Sequence, residues 1–102
     1  MRVIARRALK DFAASNERTD AAACAEQLDA WYHDAISADW TDPQAVKAKY
    51  GSASILKAGR VVFNICGNKY RLVVKANYKR GIVYIRFVGT HAAYNAIDAQ
   101  EI

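Results

Sequence analysis

The sequence predicts an α+β domain: N-terminal helices packed on a four-stranded, largely antiparallel β-sheet, closed by a short C-terminal helix. Three observations carry this reading. Apolar residues recur at three-and-four spacing until about residue 50, and after Gly51 they alternate instead. Turn-forming pieces ("KAGR", "GN", "KRG") then cut the second half into lengths that suit hairpins. At 102 residues the chain has the size of one domain, residues 1–102, with a single modest core.

The elements follow in order. "RVIA" at 2–5 reads as a short additional strand. From Arg6 to about Ser15 the pattern is helical, with Leu9, Phe12 and Ala13 on one face. "SNERTD" interrupts it, and Thr19 or Asp20 is placed to cap the next helix. That helix has a clear apolar stripe of Cys24, Leu28, Trp31, Tyr32, Ala35 and Ile36, with Glu26, Gln27, Asp29, His33 and Asp34 mostly off it. Trp31, Tyr32 and Trp40 therefore read as core, and His33, among acids, as solvated or structural. "TDP" at 41–43 is an N-cap followed by proline in a first helical turn, so "PQAVKAKY" is a short helix. "SASIL", "VVFNIC", "KYRLVVKANY" and "IVYIRFVG" then form the strands of a meander.

Pairing the strands sorts the side chains by face. A two-residue turn at Gly67-Asn68, where positive backbone angles are expected, sets Asn64 opposite Arg71 and Phe63 opposite Leu72. Val61, Phe63, Ile65, Tyr70, Leu72 and Val74 then face the helices. Arg60, Asn64, Lys69, Arg71 and Lys75 share the other face. Keeping Val83, Ile85 and Phe87 in the core requires Leu72 opposite Phe87, because a one-residue slip inverts a strand. That register sets Arg86 opposite Val73, Tyr84 opposite Lys75 and Thr90 opposite Lys69, with His91 at the rim of the polar face.

Charge is distributed unevenly. Residues 1–56 carry seven Lys/Arg against eight Asp/Glu, whereas residues 57–102 carry eight against two. The two acids are Asp98 and Glu101, so Lys57 to Ala96 contains none. Such a half expects a polyanion, nucleic acid or an acidic protein. No apolar run approaches the roughly 20 residues that span a bilayer, and no secretory h-region follows the N-terminus, so a cytoplasmic location without membrane association is expected. Cys24 and Cys66 are expected to be two packed thiols. Two histidines and two cysteines at no ligand-like spacing give no expectation of a metal, and no cofactor is expected either.

Cations interleaved with Tyr84 and Tyr94 suit a phosphate backbone with bases stacked on rings. His91 could add chemistry as an acid or base, with Arg71 and Arg86 stabilising a phosphorane; Lys57 and Lys69, at turns, suit an electrostatic role. "RVVFNICGNKYRLVV" and "VYIRFVGTHAAYNAID" together resemble the signature of HigB-type toxins, in the wider RelE-like group, and "WYHDAISADWTDPQAVKAKYGSASIL" is similar to their helical first half. The resemblance implies an endoribonuclease cutting messenger RNA, usually on the ribosome, and a helix-turn-helix antitoxin partner. It points to Arg71, His91 and Tyr94 as active-site residues and, less directly, to Lys57, Asn68 and Arg86. The RNA-contacting set is then Lys57, Arg60, Asn64, Asn68, Lys69, Lys75 and Tyr84. The sequence departs from the family pattern at Ala93 and Asn95, where acids are usual. The alternatives are a nucleic-acid-binding module without chemistry, and an interaction protein whose basic face meets an acidic chain.

Overall fold

The structure, a computed structural model, describes residues 1–15 and 21–102. The elements are β1 (Arg2–Ile4), α1 (Arg6–Ser15), α2 (Ala21–Ser37), α3 (Pro43–Lys49), β2 (Ser54–Ile55), β3 (Arg60–Ile65), β4 (Tyr70–Asn77), β5 (Ile82–Thr90) and α4 (His91–Asn95). The cap expected at Thr19 or Asp20 lies outside the described residues. Asp42 does cap α3, its carboxylate accepting the Ala45 N–H at 2.9 Å ahead of Pro43. The α+β class stands, and the additional strand expected at 2–5 is present as β1. The sheet has five strands in the order β1-β5-β4-β3-β2 and is mixed, because β1 runs parallel to β5. The three-residue β1 falls short of any period that a sequence could display, so its place is decided by pairing with β5.

One face of the sheet takes α1, α2 and α3. Cys24, Leu28, Trp31 and Ala35 of α2 are buried against Phe63, Ile65, Tyr70 and Leu72. Trp31 meets Phe63 edge-on and Trp40 stacks near it, so both tryptophans are core residues. Burying side chains of this size contributes roughly 1.5–3 kcal/mol each. The stripe is narrower than its sequence suggests, since Ile36 is exposed and Tyr32 lies half-buried under the Arg6 guanidinium. His33 sits exposed beside Asp29, one helical turn away.

Two features overturn expectations. Cys24 and Cys66 are joined in a disulfide, with Cα atoms 5.6 Å apart, and are not free thiols. They lie 42 positions apart in sequence, and only the return of β3 beside α2 brings them together. The second feature is a β-bulge in β5. The expected register holds from Asn77↔Ile82 to Val74↔Ile85, but Val73 then pairs with Phe87, leaving Arg86 without an opposite residue. Leu72 consequently faces Val88 and Tyr70 faces Thr90. Phe87 therefore leaves the main core for the other face, where it packs with Val62 and Val73. An extra residue in one strand restores alternation beyond it, one step later.

Candidate active site

The bulge and the turn between β3 and β4 organise the face away from the helices. Cross-strand partners form three rows: Asn64–Arg71–Gly89 at one end, Val62–Val73–Phe87 in the middle, and Arg60–Lys75–Tyr84 at the other. The middle row is covered by Leu56, Tyr94, Ala99 and Ile102. The polar face expected from the sequence is thus divided by an apolar strip. Alternation along β3 and β4 implies Val62 and Val73 there, but their cover comes from Leu56 before β3 and from the chain beyond β5, and is invisible in local pattern.

Arg71 is the one charged side chain among the described residues that is buried, at 8% exposure. Its guanidinium donates from Nη1 to the carbonyls of Asn68 (3.2 Å) and Tyr70 (3.1 Å), and from Nη2 to Asn68 Oδ1 at 2.8 Å. Those acceptors are neutral, and among the described residues no carboxylate pairs with it. The Tyr94 ring lies 5.9 Å from the guanidinium carbon, within reach of a cation–π contact. A buried cation held only by neutral oxygens keeps its attraction for an arriving anion.

Asn68 therefore serves Arg71. The positive backbone angles expected at Gly67 and Asn68 fall instead on Cys66 (φ 54°) and Gly67 (φ 65°). Such an angle is uncommon for a residue with a side chain. Cys66 is held in place by its disulfide to α2 and by Gln27, whose Oε1 accepts the Cys66 N–H at 2.7 Å. Reversal of the chain at 66–67 leaves Asn68 to clamp the arginine three residues on.

His91 opens α4. Thr90 caps the helix by accepting the Ala93 N–H at 3.1 Å, and the His91 N–H donates to the Lys69 carbonyl at 2.9 Å. Helix α4 is thus fastened to the same turn that holds Arg71. Asn95 lies one helical turn after His91, its Nδ2 3.0 Å from His91 Nδ1. Sequence reasoning noticed Asn95 only as a departure, although its i,i+4 spacing from His91 could have marked it as a contact. Gly89, opposite Arg71, was missed. A Cβ there would stand 2.7 Å from Phe87 Cζ, so the glycine admits the displaced ring.

The remaining candidates separate. Arg86 is exposed at the bulge, 5.6 Å from the Tyr84 ring. Lys75 and Tyr84 are half-buried neighbours, and Arg60 spends its Nε on the Ile102 carbonyl at 2.8 Å. Lys57 is exposed in the β2–β3 turn, Lys69 in the β3–β4 turn, and Asn64 is exposed beside Arg71. Arg71, Asn68, Tyr94, His91 and Asn95 therefore form one connected set. Lys75, Tyr84, Arg86 and Arg60 form a second, cationic ledge across the apolar strip.

Among the described residues no helix is long and apolar enough to cross a membrane. No curated protein matches the chain. Residues 24–97 match the model of a family described as HigB toxin, RelE-like toxic component of a toxin-antitoxin system. The matched span begins within α2 and closes just after α4, so it takes in every residue of both sets.

Proposed function

The chain belongs to the HigB toxin family, the RelE-like toxic components of toxin–antitoxin systems, and from that premise we propose that it is an endoribonuclease that cuts messenger RNA, held on the ribosome, in the cytoplasm. Membership implies a cognate antitoxin; we take that partner to be a small helix-turn-helix protein. The observation that carries the enzymatic reading is Arg71, a buried guanidinium that meets no carboxylate among the described residues, facing Tyr94 beside the helix that bears His91.

The reaction is an attack by the 2′-hydroxyl oxygen on the adjacent phosphorus, with breakage of the bond to the 5′-oxygen. One fragment keeps a 2′,3′-cyclic phosphate, which can open to a 3′-phosphate, and the other begins with a 5′-hydroxyl. The step needs alignment, charge stabilisation and proton handling, and no metal. Arg71 stabilises the phosphorane, with Arg86 supplying further positive charge. His91 acts on the reacting phosphate group through its ring, and Tyr94 orients the phosphate over Arg71. Lys57, Arg60, Asn64, Lys69, Lys75 and Tyr84 track the strand, while Asn68 supports Arg71 from within.

The test is tightly controlled bacterial expression of the wild-type chain beside its His91→Ala and Arg71→Ala variants, with growth followed and messenger RNA 5′ ends mapped. New 5′-hydroxyl ends with growth arrest, both lost in the variants, are expected. Arrest without new ends would reduce the protein to a nucleic-acid binder. An intact effect in His91→Ala with loss on charge reversal at Arg71 and Lys75 would do the same.

A further inference from the structure

His91 and Asn95 face each other across one turn of α4. An amide nitrogen can only donate, so Asn95 Nδ2, 3.0 Å from His91 Nδ1, makes Nδ1 the acceptor. In that arrangement a neutral ring carries its single proton on Nε2. Main-chain bonds hold His91 and flank Asn95. The His91 N–H is fixed to the Lys69 carbonyl, and the turn continues through Ala96 N–H to Ala93 carbonyl and Ile97 N–H to Tyr94 carbonyl, both 3.2 Å. No acid occurs between Lys57 and Ala96, so no carboxylate in that stretch competes for the ring.

We propose that Asn95 is a positioning residue that holds His91 as a hydrogen-bond donor, and so decides what the histidine does in the ribonuclease reaction set out above, on which this inference rests. With its proton on Nε2 and its Nδ1 occupied, the neutral ring has no free lone pair for the 2′-hydroxyl proton. It instead gives a hydrogen bond to a phosphate oxygen as charge builds in the phosphorane, beside Arg71. A neutral histidine used as an electrophile in this way is a known catalytic device. The 2′-oxygen bonds to phosphorus, the bond to the 5′-oxygen breaks, the 2′ proton leaves to water, and water protonates the 5′-oxygen. His91 ends the step as it began.

Asn95 also borders an open depression of about 350 Å³ with Leu56, Tyr94, Ile97 and Asp98. A role there as a plain substrate contact predicts a change in KM alone, which separates it from the positioning role.

The experiment reads the ring directly. Long-range ¹H–¹⁵N spectra of ¹⁵N-histidine-labelled protein, above the ordinary histidine pKa of ~6.5, report the tautomer. The chain has two histidines, and a His33→Gln variant assigns them. Wild type should show the Nε2–H form, Asn95→Ala a mixture, and Asn95→Asp the Nδ1–H form, because a carboxylate can only accept. In cleavage assays Asn95→Asp should lower kcat on the order of 10²-fold, the usual cost of losing one transition-state donor. KM should stay within about twofold. A wild-type Nδ1–H ring, a tautomer unmoved in Asn95→Ala, or an Asn95→Asp protein that cuts as fast or faster would overturn the proposal. A protein with the expected tautomers that cuts no RNA under any condition would instead sink the ribonuclease reading, with Asn95's hold on the ring upheld.

Discussion

Arg71 shows why residue type matters at this site. Three donated bonds go to neutral oxygens, two of them on Asn68, and they fix the plane of the guanidinium. A lysine keeps the charge but not the planar fork, and it cannot reach two phosphate oxygens at once. Arg71→Lys is therefore expected to fold and to bind RNA, with cleavage reduced by roughly 10- to 100-fold. The check is a single-turnover rate measured beside RNA affinity; equal rates for the two proteins would remove the guanidinium from the mechanism. The place of Arg71, opposite Asn64 on the face away from the helices, was legible in the sequence because a short turn fixes that pairing. Gly89 was not, since its role depends on where the Phe87 ring goes after a bulge that alternation does not announce.

The secondary elements were the most legible level. Helix α1 spans the residues that periodicity gives it, and α3 starts where Asp42 and Pro43 signal. What escaped reading was how elements are tied. Tyr50, just past α3, donates its hydroxyl to Asp34 of α2, and burial together with that bond pushes its pKa up. The Cys24–Cys66 bridge joins α2 to the turn that carries Asn68. A cross-link across 42 residues restricts the unfolded chain by about 4 kcal/mol in the loop-entropy description. Serine at both cysteines should lower Tm accordingly, and a reductant should bring wild type to the same Tm while leaving the double variant unmoved. A wild-type Tm insensitive to reductant would show that the bridge contributes nothing. Because the same turn holds Arg71 and accepts from His91, the reduced protein should also cut more slowly.

Across the whole molecule, charge and topology coincide. The helical half is close to neutral and covers one face, while residues 57–96, which contain no acid, supply β3, β4 and β5, whose other face carries both sets. The apolar strip of Val62, Val73 and Phe87 separates those sets. An RNA strand contacting both must cross the cover formed by Tyr94 and Ile102. Affinity should therefore fall steeply with salt, the slope of log K against log salt being about −0.7 per phosphate contacted on a single strand. Lys75→Glu should weaken binding to all sequences alike and reduce that slope by about one contact. An unchanged slope would place the RNA elsewhere. By itself, the sequence determined the helices, the hairpins, the basic half and the pair of motifs around Arg71 and His91. Each depends on neighbours within a few residues, where periodicity, capping and turn chemistry act. The tertiary fold alone settled the parallel β1, the disulfide, the bulge at Arg86 and the burial of the Arg71 guanidinium among neutral acceptors. These depend on which distant segments meet, and pairing energy across tens of residues leaves no mark in the local pattern.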